Sequence, residues 1–374
     1  MDEGFLGYPR SNGTVGIRNK IMVVSSVVCA NTVVRRVAEK INNAIAITHP
    51  FGCGQWGISY SNTFNILAGL ASNPNVYGAL VIGLGCESLF SNLLADKIKE
   101  SKKPVDSFNI QDIKGGTIGA IEKGVSICKR FDKEATEIKR EFFDFSHITL
   151  GLECGGSDST SGIAANPSLG IVSDKVVSLG GTSILPEMAE WAGAEHLLSK
   201  RAINEEVAKE IMSLFKGRKF ENRSPGNVEG GLSTPEEKSL GNIAKGGNAT
   251  IQGVIQYAEK PKGKGLWLMV EPGLDVVSMT ALAAAGANII VFTTGRGTPF
   301  GSPVAPVIKI CGNPKTCDYM ANNIDIDASQ IITNGKSIEN ISDLLWKKLV
   351  DVCNGEKTRA EKLGFEEDIG IWRA

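Results

Sequence analysis

Short apolar runs rich in β-branched residues alternate along the chain with stretches of helical pattern, and this alternation limits the possible folds more than any other feature. Several of the runs are apolar without a polar partner at every second position, which is typical of strands covered on both faces in a parallel sheet. We therefore expect an α/β fold with parallel sheets. The runs cover residues 21–28, 44–48, 79–83, 147–152, 265–270, 288–293 and 307–311.

The helical stretches are amphipathic, and some carry recognisable ends. Apolar residues fall on one face at Val33, Val34, Val37 and Ile41. Asn166 before Pro167 predicts an N-cap followed by a first-turn proline, with residues 180–181 ending that helix. Residues 337–350 repeat apolar positions on one stripe and predict another helix. A charged helical stretch over 117–143 is expected to end a first α/β unit.

The chain has 374 residues, which is too long for one average domain and suggests two. We place the boundary at 144–146, giving a smaller N-terminal α/β domain over 1–146 and a larger domain over 147–374. Residues 216–233 are polar and rich in Gly and Pro, so we expect an irregular loop that acts as a lid or reaches between subunits.

The overall charge and the amino terminus narrow the class of protein. The net charge of −1 gives no reason to expect a nucleic acid or an anionic membrane as partner. The first 20 residues are polar and Gly-rich, and the first apolar run is too short to span a bilayer. We therefore expect a cytoplasmic protein whose eight cysteines are buried, catalytic or bound to metal rather than paired in disulfides.

Cysteines follow four of the predicted strands, at Cys29, Cys53, Cys86 and Cys154. Ligands of open parallel sheets bind outside the carboxyl ends of the strands. Convergent thiolates there suit zinc, iron or an iron–sulfur cluster. The chain has no Cys-x-x-Cys motif, so the alternative of four ordinary buried cysteines stays open at this point.

Donor-rich residues follow the predicted strand over 288–293. Thr293, Thr294 and Thr298 surround Arg296 between glycines, and such a segment can bind an anion, with Arg holding a carboxylate through two hydrogen bonds. The alternative is a tight turn with a surface arginine.

His49 precedes Cys53 at a strand end and suits a general base or a metal ligand. Residues 233–237 read as an ordinary helix start.

Several blocks, in order along nearly the whole chain, resemble the altronate/galactarate dehydratase family. They include Gly-Cys-Gly at 52–54, Gly-Cys-Glu at 85–87 and Cys-Gly-Gly-Ser-Asp at 154–158, with further blocks at 13–19, 161–167, 231–238 and 292–299. The resemblance implies an iron-dependent lyase acting on sugar acids. It also implies a first region that helps to form a dimer, and a C-terminal Rossmann-like domain with an unusual crossover.

The chain departs from the family pattern at its start. Members acting on altronate or galactarate usually carry a small β-clip domain before the block at 13–19, whereas about a dozen residues precede that block here. The chain thus resembles the large subunit of a split enzyme, as in the related sulfolactate sulfo-lyase. We expect a separately encoded small β-clip partner, and both a sugar acid and a sulfo-acid stay open as substrate.

These observations combine into one predicted site. We expect Cys53, Cys86 and Cys154, with Cys29, to bind iron as Fe²⁺ or as an iron–sulfur cluster. We expect the substrate to be bound by Arg296, Thr293, Thr294, Thr298, Ser157 and Asp158. His49 is the expected base, with Lys245 or Glu87 as alternatives.

Two other classes of function remain open from the sequence. A thiol or iron–sulfur redox protein would be expected to carry a close cysteine pair. A nucleotide-dependent oxidoreductase would be expected to carry Gly-x-Gly-x-x-Gly after the first strand, where Cys29-Ala30-Asn31-Thr32 stands instead.

Overall fold

The computed structural model describes residues 4–218, 220–365 and 369–373. The strands are β1 (Gly4–Pro9), β2 (Val15–Gly16), β3 (Lys20–Ser25), β4 (Ala44–Ile47), β5 (Val76–Gly83), β6 (Val105–Asn109), β7 (Glu141–Asp144), β8 (Thr149–Cys154), β9 (Thr182–Leu185), β10 (Ile251–Ile255), β11 (Gly265–Met269), β12 (Ile289–Thr294), β13 (Val307–Cys311) and β14 (Ile326–Asp327). The α-helices are α1 (Asn31–Ala38), α2 (Gly57–Ala71), α3 (Ser91–Lys99), α4 (Gly116–Glu137), α5 (Asn166–Ser178), α6 (Glu195–Ser199), α7 (Glu205–Ser213), α8 (Pro225–Glu229), α9 (Pro235–Ile243), α10 (Asp275–Ala284), α11 (Pro314–Tyr319), α12 (Gln330–Thr333), α13 (Ile338–Cys353) and α14 (Arg359–Leu363).

The smaller, N-terminal region is built on a four-stranded parallel sheet with the order β4-β3-β5-β6. Helices α1 and α4 cover one face of this sheet, and α2 and α3 pack in the core on the other. The strand order reverses between β3 and β5, so the loops after these strands diverge and leave a crevice at the carboxyl edge. The residues that follow β3, β4 and β5 are therefore brought to one place.

The larger region contains a seven-stranded parallel sheet with the order β10-β11-β9-β8-β12-β13-β14. Sequential addition would put β10 beside β9, but β11 takes that position and β10 forms the edge. The order reverses at β8, which lies between β9 and β12. The carboxyl end of β8 therefore opens into the crevice where parallel sheets bind ligands. The α/β class with a Rossmann-like parallel sheet and a smaller N-terminal α/β region is confirmed.

The two sheets are joined by a shared apolar core between α2 and α10. A side chain on Gly69 would collide with the backbone of Ala284, so glycine allows these helices to touch. Buried asparagines tie the same interface: Asn73 donates to the carbonyls of Ala283 and Ala287 at 2.7 and 2.9 Å. The two regions therefore pack as one body, and their division at 144–146 stays a prediction.

Strand β1 packs with the larger region although it comes first in the chain. It pairs antiparallel with β2 and β7 in a small separate sheet. Phe5, Val15 and Ile17 are fully buried in the core of the seven-stranded sheet. Residues 4–17 thus help to hold the two regions together.

The seven predicted apolar runs are all strands, within a few residues at their ends. The helix predicted over 337–350 is α13, and Ser337 and Asn340 form its capping box. Among the residues described, no helix is long and apolar enough to cross a membrane.

Three local predictions need correction. Asn166 does not cap its helix, because a π-helical turn over Ser161–Ala165 precedes it and its amide donates to the Gly241 carbonyl instead. The helix predicted over 117–143 ends at Glu137, and strand β7 follows. The segment 216–233 is mostly irregular as expected but contains α8, which is capped by Ser224.

Candidate active site

Cys154, the last residue of β8, lies at the centre of a buried cluster of ionisable side chains. Its sulfur is 3.4 Å from Glu187 Oε2, 3.3 Å from Glu190 Oε2 and 3.8 Å from Asn242 Oδ1. The ligand atoms of Cys154, Glu187 and Glu190 lie within 4.8 Å of one another. Burial, together with the two neighbouring carboxylates, raises the pKa of the Cys154 thiol well above its ordinary value.

Two lysines neutralise part of this negative charge. The Lys245 ammonium donates to Glu187 Oε2 at 2.5 Å, and both side chains are almost fully buried. Lys238 pairs with Glu190 Oε1 at 2.6 Å and also donates to the Asn227 amide oxygen at 3.1 Å. The surrounding acids and the Cys154 thiol raise the pKa of Lys245 although burial opposes this, so its ammonium form persists.

Acidic groups outnumber these lysines. Glu153 is fully buried, and neither of its carboxylate oxygens has a hydrogen-bond partner in the part of the chain that the structure describes. Burial and the Glu187 charge raise its pKa well above the ordinary value, and they raise the pKa of Glu271 to about 8. A buried excess of acids requires either protonation or a bound cation.

The donor set fits a metal ion. Cys154, Glu187 and Glu190 offer one sulfur and two carboxylate oxygens, and the orphaned Glu153 oxygens lie in the same electrostatic cluster. This mixture of thiolate and carboxylate suits first-row transition metals better than the hard cations Mg²⁺ and Ca²⁺. A bound ion would also favour the thiolate over the thiol at Cys154.

The backbone at this cluster is shaped to bring the side chains together. Glu187 follows β9 with φ +69°, in the left-handed region that non-glycine residues rarely adopt. Its N–H donates to the carboxylate of Glu271, which also accepts from Gly273 N and the Ser278 hydroxyl. Strained backbone of this kind is concentrated at functional sites.

A cavity of about 230 Å³ adjoins the cluster. Its wall includes Cys154, Ser157, Glu190, Lys238 and Asn242, together with the π-helical turn that precedes α5. The volume lies below the range of about 300–1,000 Å³ that is usual for drug-sized ligands, which suits a small polar molecule.

Residues 220–233 bond to the loop after β8 and to Lys238, and Leu232 lines the cavity. The Asn227 amide donates to the Ser157 carbonyl at 2.8 Å, and Ser159 N donates to the Gly230 carbonyl at 3.0 Å. Lys238 Nζ donates to the Asn222 carbonyl at 2.5 Å. The irregular segment therefore helps to hold the lysine that reaches the cavity. Its expected movement as a lid stays a prediction.

Ser157 and Asp158 line the cavity, and their predicted role in binding substrate stays a prediction. The Asp158 carboxylate, however, is occupied locally. Oδ1 accepts from Thr160 N at 2.9 Å and Ser161 N at 3.2 Å, and Oδ2 accepts from the Asn313 amide at 2.7 Å. These bonds fix the loop after β8, so we assign Asp158 to positioning that loop.

Arg296 and its neighbouring threonines lie on the far side of Asp158. Arg296 lines a second cavity of about 490 Å³, and its half-exposed guanidinium pairs with Glu229 at 3.2 Å. The Thr294 hydroxyl accepts from Gly297 N at 2.8 Å, and the Thr298 hydroxyl accepts from Phe300 N at 3.2 Å. Thr293 is buried, and its hydroxyl donates to the Glu153 carbonyl at 3.3 Å. These hydroxyls stabilise their own turn, and carboxylate binding by this segment stays a prediction.

Cys29, Cys53 and Cys86 follow the strands of the other sheet. All three are exposed, whereas Cys154 is buried. Among the residues described, only Cys154, Glu187 and Glu190 form a group of three or more ligand atoms within 4.8 Å of one another. The other three cysteines are therefore not part of the group formed by Cys154, Glu187 and Glu190, and the role of all four cysteines as metal ligands stays a prediction.

His49 and Glu87 are buried between the loops that carry these cysteines. His49 Nδ1 accepts from Phe51 N at 3.1 Å, so its other nitrogen donates to the Ser25 carbonyl at 2.8 Å. Burial lowers the His49 pKa. Both ring nitrogens are engaged in these bonds, and the role of His49 as the base stays a prediction.

Glu87 is likewise engaged in hydrogen bonds with its own loop. Its carboxylate accepts from Leu84 N at 3.2 Å, Gly85 N at 2.6 Å and the Ser26 hydroxyl at 2.8 Å. Of the three predicted proton-transferring residues, only Lys245 lies in the buried cluster.

The sequence interpretation missed Glu187, Glu190 and Lys238. The two glutamates follow β9, a four-residue strand that was too short to be recognised, although they occupy the expected position after a strand. Lys238 lies in α9, whose start is capped by Thr234 as predicted. Because the helix cap already explained the residue pattern of this segment, Lys238 was not recognised as a site residue.

Comparisons with known proteins agree with the arrangement of the chain. Residues 7–136 match the second domain of D-galactarate dehydratase/altronate hydrolase, and residues 145–374 match the family described as D-galactarate/altronate dehydratase, C-terminal. Altronate dehydratase of Bacillus subtilis is 37% identical, over 97% of this chain and 76% of its own length.

Two further relatives are named for different activities. The (2R)-sulfolactate sulfo-lyase subunit beta of Chromohalobacter salexigens is 36% identical, over 98% of this chain and 96% of its own length. Galactarate dehydratase (L-threo-forming) of Escherichia coli is 33% identical, over 98% of this chain and 76% of its own length. With both matched regions in order and such relatives along nearly its whole length, the chain belongs to the altronate/galactarate dehydratase family.

Proposed function

We propose that this chain is a metal-dependent hydro-lyase that removes water from a sugar acid such as altronate or galactarate. The observation that carries the proposal is the buried cluster of Cys154, Glu187, Glu190 and two lysines, which adjoins a small polar cavity at the carboxyl end of β8. Three of the relatives are named as dehydratases of these two acids, which supports the substrate class.

Dehydration of a hydroxy acid needs a proton removed beside a carboxylate and a hydroxide expelled from the next carbon. A bound ion, which we propose to be iron, would supply Lewis acidity at this site. Cys154, Glu187 and Glu190 are the residues that would hold it. Lys238 lines the cavity and offers positive charge to a carboxylate, while Lys245 lies behind Glu187 and balances the cluster.

The test is a paired measurement of metal content and turnover. Protein purified without oxygen is loaded with ferrous iron, and keto-acid formation from altronate and galactarate is followed by NMR. We expect Cys154→Ser to lose both bound iron at this cluster and turnover, because the only sulfur ligand there is removed. Cys128→Ser serves as the control, since Cys128 is equally buried in the core of the other sheet. Full turnover in Cys154→Ser would remove this cysteine from the site.

A sulfo-lyase reaction is the second candidate. The relative named as a sulfolactate sulfo-lyase subunit is about as similar to this chain as the altronate dehydratases are. The two reactions share proton removal beside a carboxylate and differ in the leaving group, sulfite instead of hydroxide. Sulfite release from sulfolactate without keto-acid formation from either sugar acid would decide for this alternative.

We also propose that the chain works as a dimer in the cytoplasm with a small β-clip subunit. The support for a second subunit is the word subunit in the name of one relative. Light scattering of the purified chain, alone and after co-expression with a candidate β-clip protein, measures both associations. A monomer that is fully active by itself would contradict this part of the proposal.

A further inference from the structure

We infer that Cys29, Cys53 and Cys86 together hold an iron–sulfur cluster in the smaller region, as a metal centre separate from the Cys154 cluster. The inference is independent of the reaction proposed above, because it rests on the geometry of three loops and is tested without substrate.

The three cysteines stand at the switch point of the four-stranded sheet. Cys29 follows β3, Cys53 follows β4, and Cys86 follows β5. The strand order reverses between β3 and β5, and the carboxyl edge at such a reversal is where open parallel sheets bind their ligands. Position in the fold therefore brings three thiols to one crevice from three different strands.

Backbone hydrogen bonds join the three loops directly. Val28 N donates to the Phe51 carbonyl at 2.9 Å, which ties the Cys29 loop to the Cys53 loop. Ser88 N and Leu89 N donate to the Gly52 carbonyl at 3.0 and 3.1 Å, which ties the Cys53 loop to the Cys86 loop. The loops are thus neighbours even though the cysteines are far apart in sequence.

Glycine and buried polar side chains hold this arrangement. Gly52 has φ +98°, and a Cβ there would meet the Ser26 carbonyl at 2.1 Å, so only glycine allows the Cys53 loop to lie against the Cys29 loop. Glu87 bonds across from the Cys86 loop to Ser26, and the His49 imidazole bonds to the Ser25 carbonyl. These contacts fix the loops that carry the cysteines, and the Gln111 amide donates to the Cys86 sulfur at 3.9 Å.

The three thiols are not arranged as the ligands of a single ion. The three sulfurs do not form a group within 4.8 Å in the part of the chain that the structure describes. One ion draws its ligand atoms close together, whereas a cluster holds its thiolates further apart because each binds a different iron. Five other cysteines exist in the chain, four of them buried elsewhere, so three thiolates would leave one iron position of a four-iron cluster without a cysteine.

The surface around the thiols is apolar. Val28, Trp56 and Phe90 lie on the same loops, and their side chains are exposed, with Trp56 77% exposed. An apolar shell limits the access of water and tunes a cluster's reduction potential. The Arg373 guanidinium lies 5.3 Å from the centroid of the Phe51 ring, and Phe51 is two residues before Cys53 in the sequence.

The probe is ferrous iron with inorganic sulfide, added to the full chain under anaerobic reducing conditions. We expect equal amounts of bound iron and acid-labile sulfide at this site, with a broad visible absorption band. Cys29→Ser, Cys53→Ser and Cys86→Ser should each lose the band and the sulfide. Cys317→Ser is the control that should keep both, and Cys154→Ser should keep the sulfide while losing iron only at its own cluster.

Folding is checked by the midpoint of urea unfolding, which exposed Cys→Ser substitutions should leave nearly unchanged. Iron bound without sulfide in the wild-type chain would overturn the inference, as would sulfide retained in all three variants. If Cys154→Ser were the only variant to lose the band, the cluster would have to lie at the buried Cys154 site. Because sulfide is measured without substrate, a chain that holds the cluster but does not dehydrate sugar acids would contradict only the proposed reaction.

Discussion

Replacing Lys245 by Met should destabilise the chain strongly, because this ammonium is the cation for several buried acids at once. Lys245 is fully buried, its Nζ is 2.5 Å from Glu187 Oε2, and Glu190, Glu153 and Cys154 also hold its pKa up. Met keeps the volume of the side chain but leaves these acids without their counter-charge. Removing one partner of a buried ion pair costs about 3–5 kcal/mol.

Removing the charge of the partner acid instead, by Glu187→Gln, should lower the free energy of unfolding by less. It leaves Lys245 with three remaining acids and removes mainly one hydrogen bond to a charged group, worth about 1.5–3 kcal/mol. The free energy of unfolding of each variant is measured in urea on metal-free protein, using tryptophan fluorescence, since Trp191 is buried beside these residues. The expected order of stability is wild type, then Glu187→Gln, then Lys245→Met.

The matched control is Lys209→Met, which removes a Lys–Glu pair that is exposed on both sides. Exposed pairs contribute little, so no measurable change is expected there. A Lys245→Met variant within about 1 kcal/mol of the wild type would refute the reasoning. So would a Glu187→Gln variant that is the less stable of the two, because the asymmetry depends on Lys245 serving more than one acid.

Three further outcomes are expected. Burial and the Glu187 charge raise the pKa of Glu271 from 4.5 to about 8. The protonated carboxyl therefore stabilises the fold fully below pH 4.5, and this contribution, at most about 5 kcal/mol, is lost as pH rises towards 8. Glu271→Gln should make the urea midpoint fall less steeply over this pH range. Gly52→Ala should lower bound sulfide sharply. Gly54→Ala shares the strain of a positive φ (+65°) but adds a Cβ with no atom within 4 Å, so it should lose much less sulfide; equal losses would contradict the loop argument. Arg296→Ala should raise KM without lowering the urea midpoint if this exposed arginine binds the substrate carboxylate, and an unchanged KM would exclude that role.

Much of the fold could be predicted because its strands are long and apolar. Buried parallel strands such as β3, β5, β8 and β12 leave an uninterrupted apolar signal, and all were found. Strands β9 and β14 have four and two residues, and β1 has a mixed burial pattern, so their signals are too weak to separate from loops. The pairing of β1 with β7 joins residues that are far apart in sequence, and no local pattern encodes it.

The candidate site was predicted in part for the same reason. Cys154 and Ser157 follow a strong strand and lie at the cavity, as expected. Glu187 and Glu190 follow β9, whose sequence signal is weak because it has only four residues, and they were missed. Lys245 was named only as an alternative base, and its role as a buried counter-charge became apparent from its 2.5 Å contact with Glu187.

The sequence by itself determined the α/β class, the positions of the main strands, the family resemblance and the fact that four cysteines follow strands. Only the tertiary structure decided which of these cysteines are neighbours. Strand ends meet at one edge only when the strands belong to one sheet, and Cys29, Cys53 and Cys86 follow β3, β4 and β5, whereas Cys154 ends β8 of the other sheet. Sheet membership is fixed by long-range pairing and not by local pattern, so only the folded structure assigns Cys154 and the other three cysteines to different sheets.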